Sequence, residues 1–218
     1  MKNLEDYLYY QDDWATIYCG DCLEIMPQIE ELDLILTDPP YGVNLPYGKY
    51  YDDSSENYWD WFQEVLEIMR NTAKGVIFTH RQESIKLIHG WNHMCIWNKT
   101  MAFGHAINGW IPRWEPIFIF GIQPNFQANP KRKPARYDVF NFYTEPNKTG
   151  HPAPKPLKLW KALIETFAGN IILDPFLGSG TTCVAAKDLN RKSVGIEINP
   201  DYCEIAVKRL RQEVFDFS

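Results

Sequence analysis

The stretch LILTDPPYGV, Leu34 to Val43, ends an apolar run with an acid, two prolines and an aromatic ring. Proline has no N–H to give to a sheet ladder, so a strand entering this stretch must stop there. Asp38, Pro39, Pro40 and Tyr41 are thereby held at a strand end. A carboxylate accepts hydrogen bonds, a proline keeps its carbonyl acceptor, and tyrosine offers a flat face with a hydroxyl. A second stretch, ILDPFLGSGTT (172–182), reads as strand, tight turn and helix start. Gly178 and Gly180 permit close backbone approaches that a Cβ blocks. The helix that follows aims its first N–H groups at whatever lies over the turn. No lysine follows Gly180, so the turn is not a P-loop, and a full G-x-G-x-x-G is also absent. The next strand candidate, VGIE, ends in Glu197, 23 residues after Asp174. An acid at that place in a nucleotide-binding α/β unit accepts hydrogen bonds from ribose hydroxyls. Turn and acid together point to a cofactor that carries a ribose.

The elements around these residues alternate. ATIYC (15–19) and LDLILT (32–37) read as strands, the second buried on both faces. Helical spacing of Trp59, Phe62, Leu66 and Met69 predicts a helix over 58–70. GVIFTH (75–80) is a strand candidate, and 83–90 is expected to be a short helix ending at Gly90. From 91 to 150 the alternation breaks, with one strand candidate at 116–121 and a long Pro/Asn-rich loop expected over 122–150. It resumes with a helix at 155–169, a strand at 170–174, a helix at 180–190 and a strand at 192–197. A last helix at 199–210 opens with Asn199 as cap and Pro200 in the first turn. Strands alternating with helices imply parallel pairing. The expected fold is a three-layer α/β sheet in one domain, 1–218, carrying an inserted segment at 91–150.

Composition narrows the class. The 218 residues are 45% hydrophobic and 23% charged, and no stretch approaches a membrane span. The acidic, Tyr-rich start lacks the pattern of a signal peptide, so a cytoplasmic protein is expected. Five cysteines suit reduced thiols, and the Cys19/Cys22 pair lacks a second ligand pair for zinc, so apolar packing is the expected role. Net charge is −6, but 91–150 holds seven basic and three acidic residues, +4 against −10 for the rest. An acidic body with a basic insert is compatible with a polyanion on one face.

Taken in order, TDPPY, then HPAPKP (151–156), then DPFLGSGTT resemble the signature motifs of the DNA amino-methyltransferases. The DPPY-first order resembles the circularly permuted β group, and the likeness runs over about 15–90 and 110–210. The resemblance implies a Rossmann-like methyltransferase sheet and S-adenosylmethionine as cofactor. It implies that Asp174, Phe176, Gly178, Ser179, Gly180 and Thr181 line the methionine part. It places Glu197 at the ribose and Asp21 near the adenine, with Cys22 and Ile198 also in the cofactor-binding set. Asp38 belongs to the same cofactor set. His151, Lys155 and Pro156 pack over the methionine end, where Lys155 is either a partner for the cofactor carboxylate or a structural lysine.

It also implies chemistry for the DPPY stretch. An exocyclic amine is a poor nucleophile because its lone pair is delocalised into the ring. Asp38 can accept one of its N–H groups and the Pro39 carbonyl the other, favouring sp³ character. Pro39 and Pro40 hold that carbonyl in place. The target base must leave the duplex, and Tyr41 offers it a stacking face. DPPY is typical of adenine-N6 enzymes, with cytosine-N4 the runner-up; a catalytically silent DNA-binding module is the alternative from another class. Double-stranded DNA is the expected partner. Arg113 or Arg136 would read guanine edges, and Lys131, Arg132 and Lys133 would meet phosphates. Trp97, Trp110 and Trp114 are expected in the core. The variable segment is short and the chain acidic, which leaves room for a partner subunit, a homodimer included.

Overall fold

The computed structural model describes residues 2–30, 32–43, 56–99, 109–125, 138–144, 155–167 and 169–212. The strands are β1 (Leu8–Gln11), β2 (Ala15–Cys19), β3 (Leu32–Thr37), β4 (Ala73–Thr79), β5 (His93–Lys99), β6 (Trp114–Phe120), β7 (Val139–Phe142), β8 (Ile171–Asp174) and β9 (Lys192–Glu197). The α-helices are α1 (Cys22–Ile25), α2 (Tyr58–Thr72), α3 (Leu157–Phe167), α4 (Thr181–Asp188) and α5 (Pro200–Arg211). The described strands form one sheet in the order β1-β2-β9-β8-β3-β4-β6-β5-β7.

The central strands from β2 to β4 are all parallel. Side chains alternate across β3: Ile35 packs beneath α2 with Phe62, Val65 and Met69. Leu34 and Leu36 face the other way, against Leu159, Leu163 and Phe167 of α3. That period of two on the strand and 3.6 on the helices is what lets β3 be buried from both sides. A third cluster, with Ile17 and Ala206, seats α5 under β2. The three-layer α/β architecture expected from the alternation is the one that forms. Truncating a large core side chain such as Phe62, fully buried, costs about 3–5 kcal/mol.

Four readings of the sequence need correction. The helix expected over 83–90 is only a 3₁₀ turn, Gln82–Lys86. The Ser84 hydroxyl donates to the Arg81 carbonyl at 2.6 Å, a local bond that competes with helix continuation. The loop expected over 122–150 contains β7, which pairs in parallel with β5. The sequence anticipates none of β1, β5 and β7, because their buried faces are thin: no residue of β1 or β7 is buried, and only Cys95 and Trp97 are in β5. Trp97 is in the core as expected, but Trp110 is 80% exposed.

Candidate active site

In a parallel sheet the carboxyl ends of neighbouring strands open on the same edge. Here β3 and β8 are adjacent and parallel, so the loops after Thr37 and Asp174 emerge side by side. The Thr37 hydroxyl donates to Asp174 Oδ1 at 2.6 Å, across 137 residues of chain. One bond thus ties the DPPY stretch to the Gly-rich turn.

The Gly-rich turn is shaped by close packing. A Cβ on Gly180, whose φ is +83°, would lie 2.7 Å from Ala206 Cβ, so glycine lets the start of α4 press onto α5. The Arg209 guanidinium donates to the Ser179 carbonyl at 2.6 Å and its hydroxyl at 2.9 Å. Asp174 is buried and accepts from the Phe176 N–H at 3.0 Å and from the Thr182 hydroxyl. Burial pushes its pKa up to about 6, with Thr182 and Thr37 opposing. Glu197, at the end of β9, is only 8% exposed. Its two oxygens accept from the Gly178 N–H at 2.8 Å and the Asn199 N–H at 2.9 Å. Burial raises it to about 7 against those backbone donors. Asp21 caps α1 through the Leu23 N–H at 2.9 Å. Burial raises the Cys22 thiol far above its ordinary value, as packing rather than reactivity requires.

Around the DPPY stretch the arrangement is ionic. Asp38 Oδ1 accepts from the Tyr41 hydroxyl at 2.7 Å and the Thr79 hydroxyl at 2.5 Å. Asp38 Oδ2 pairs with Lys155 Nζ at 2.7 Å. Glu115, at the start of β6, lies 3.4 Å from the same ammonium and pairs with Lys99 through its other oxygen. Burial lowers the Lys155 pKa, but Asp38 and Glu115 more than offset this and hold the ammonium charged. The Tyr41 ring stacks on His80 at 4.7 Å. His80 is fully buried and pushed down to about 3, by burial first and then by Arg81 and Lys155. Its Nδ1 accepts the Arg81 N–H at 2.9 Å, which assigns the proton to Nε2. That proton goes to the Tyr58 oxygen, 2.7 Å away, and the Tyr58 hydroxyl donates to the Pro40 carbonyl at 2.5 Å. A neutral histidine thus orients the proline pair through one tyrosine.

The two regions share a cleft of about 990 Å³, its open mouth included. Of the residues expected at a site, Asp21, Cys22, Asp38, Pro40, Lys155, Asp174, Phe176, Gly178, Ser179, Thr181, Glu197 and Ile198 line it. Pro39 and Tyr41 flank Asp38 and Pro40 without lining the cleft, and Gly180 serves the packing behind it. The Pro156 carbonyl accepts from the Leu159 and Trp160 N–H groups, so Pro156 opens α3. Lys155 meets Asp38 and Glu115. Arg113 is exposed just before β6. His151, Lys131, Arg132, Lys133 and Arg136 lie outside the described residues. Sequence reasoning missed Trp61, Trp160 and Thr182 on the cleft wall, and Glu115 and His80 behind it. Glu115 carried a signal: an acid leading the apolar run PIFIF.

A family model described as DNA methylase matches residues 32–208. The chain belongs to the DNA methylase family. That family uses S-adenosylmethionine. The type II methyltransferase M.HpaI of Haemophilus parainfluenzae is 29% identical to this DNA methylase over 92% of the chain and 76% of its own length. The M1.HpyAVI–SAM complex has a TM-score of 0.68 at 24% identity, covering 91% of this chain and all of that one. The PvuII DNA methyltransferase, described as cytosine-N4-specific, has a TM-score of 0.76 at 15% identity, covering 97% and 91%. Both structures show that this DNA methylase has the Rossmann-like methyltransferase fold. No helix among the described residues is long and apolar enough to cross a membrane.

Proposed function

We propose that this DNA methylase transfers a methyl group from S-adenosylmethionine to N6 of an adenine flipped out of duplex DNA. The observation that carries the reading is the single cleft lined by both Asp38 and the Gly-rich turn, joined through the Thr37–Asp174 bond.

The donor set fits the cofactor. Each Glu197 oxygen accepts one backbone N–H and keeps acceptor capacity for a ribose hydroxyl. Asp21 and Ile198 lie on the same lining for the adenosine part, and Asp174 and Phe176 for the methionine part. When bound, the cofactor supplies an electrophilic methyl on a sulfonium. The protein then aligns the amine. Asp38 accepts one N–H and the Pro39 carbonyl the other, so the nitrogen lone pair turns toward the methyl as positive charge develops. The Pro40 carbonyl is committed to Tyr58, which holds the proline pair rigid. The base stacks on Tyr41, braced from behind by His80. Arg113, with Lys131, Arg132, Lys133 and Arg136 of the basic segment, supplies DNA contacts, and 91–150 is the target-recognition segment.

Adenine is favoured by the carboxylate of DPPY, as the family resemblance implies. The fold likeness to a cytosine-N4 enzyme supports the second reading, since cytosine N4 is also an exocyclic amine. Incubation of the protein with labelled S-adenosylmethionine and duplex DNA, followed by nucleoside mass spectrometry, separates them. The expected product is N6-methyladenine; N4-methylcytosine replaces the first reading with the second. No label in any DNA overturns both.

A further inference from the structure

The Asp38 carboxylate is already crowded. Oδ1 accepts two hydroxyls, from Tyr41 at 2.7 Å and Thr79 at 2.5 Å, and Oδ2 accepts the Lys155 ammonium at 2.7 Å. A target amine that needs Asp38 must compete with these donors. Two of them have a second carboxylate within reach. Glu115 Oε2 is 3.1 Å from the Tyr41 hydroxyl and 3.4 Å from Lys155 Nζ. Its other oxygen is anchored by Lys99.

We infer that Glu115 is a receiving carboxylate: Lys155 and the Tyr41 hydroxyl pass from Asp38 to Glu115 when the target amine arrives. Glu115 is thus a positioning residue for the transfer reaction, and the inference rests on the reading of Asp38 as acceptor of the amine. The side chains of Lys155 and Glu115 are only 8% and 12% exposed, so an ammonium driven off Asp38 with no second anion would be stranded away from water. The shift needed is under an ångström or so for each donor, within what rotamer adjustment of a lysine allows. Glu115 is fit to receive. Burial pushes its pKa up, but Lys155 and Lys99 more than offset this and leave it below its ordinary value, hence ionised. Among the described residues, the charged groups set against it are Lys99 from β5 and Lys155 ahead of α3, with Asp38 after β3 sharing that lysine.

The charge-balanced double variant Lys99→Gln/Glu115→Gln tests this without stranding a charge, since it removes one cation and one anion together. Single-turnover transfer to a substrate duplex, KM for that duplex, Kd for S-adenosylmethionine and thermal melting are measured beside wild type and Glu115→Asp. A misplaced acceptor costs on the order of 100-fold in rate. The double variant is expected to lose about that much turnover with cofactor Kd and DNA KM unchanged. Glu115→Asp, which keeps the charge but shortens the reach, is expected to fall between it and wild type. Wild-type turnover in the double variant overturns the inference, as does an equal loss in both variants. If the double variant melts out, Glu115→Asp alone decides, and wild-type turnover in it overturns the inference. Absence of transfer by wild type would instead count against the functional reading itself.

Discussion

The two halves of the cleft are built by different physics. On the Gly-rich side, anions are held by backbone N–H groups and hydroxyls: Gly178 and Asn199 on Glu197, Phe176 and Thr37 on Asp174. On the DPPY side, charges are held by charges and rings: Asp38, Lys155, Glu115 and Lys99, with Tyr41 against His80. Backbone donors in the turns after β8 and β9 cannot move without unfolding those turns, so the first half is fixed. Ion pairs between side chains from separate segments are free of that backbone constraint, and the exchange inferred for Glu115 uses this freedom. On the function proposed above, the contrast is between a methyl donor that is held and an acceptor that is admitted and then aligned.

The sharpest way to separate the halves is Asp38→Ala. It is expected to lower transfer by roughly 10²–10³-fold while leaving the Kd for S-adenosylmethionine within a small factor, measured by calorimetry; a parallel loss of cofactor binding would merge the two regions. Thr37→Val cuts the bond between them. Leaving Asp174 short of a buried donor should cost about 1–3 kcal/mol, read as a lower urea midpoint.

The fixed half should also respond to pH. Glu197 is raised to about 7 and Asp174 to about 6, above ordinary carboxylates. A carboxyl raised on folding binds more protons in the native state than in the unfolded one, so its contribution to stability falls as pH rises from about 4 through those values. Without ligand, stability should therefore decline across that window, and Glu197→Gln should flatten part of the decline in denaturant titrations. Ribose hydroxyls donate best to an ionised acid, so cofactor affinity should weaken as pH drops through about 7, and calorimetry on Glu197→Gln should show that dependence lost. The smallest effect is expected from Tyr58→Phe, which removes only the hydroxyl between His80 and the Pro40 carbonyl. It should slow transfer by about 0.5–1.5 kcal/mol of barrier in single-turnover kinetics, with cofactor Kd unchanged.

The fixed half was the legible one. Asp174, Gly178 and Glu197 fall in two short strand-turn stretches whose composition encodes the turn locally. Of the responsive half, only the DPPY stretch and Lys155 of HPAPKP could be read, and the partners of Lys155 could not. Thr79, His80 and Glu115 lie in or beside β4 and β6, strands the sequence does show, but their side chains are brought near Asp38 only by the pairing of those strands, and β1, β5 and β7 were missed because thin alternation carries little signal. The surface position of Trp110 shows the opposite error: a large aromatic residue is not thereby a core residue.

By itself the sequence determined that the central strands would be buried, that β3 would stop at Asp38, and that Asp38, Asp174 and Glu197 would stand at strand ends. These follow from short-range rules, apolar period, proline's missing donor and glycine's missing Cβ, each acting over a few residues. Only the tertiary structure decided that Asp38 would share Lys155 with Glu115 and that Thr37 would reach Asp174. Parallel pairing of β3 with β8, and antiparallel return of β6 beside β4, place the ends of distant segments on one edge of one sheet. Contacts of that kind form when many buried side chains settle together, so no local stretch of the chain contains them.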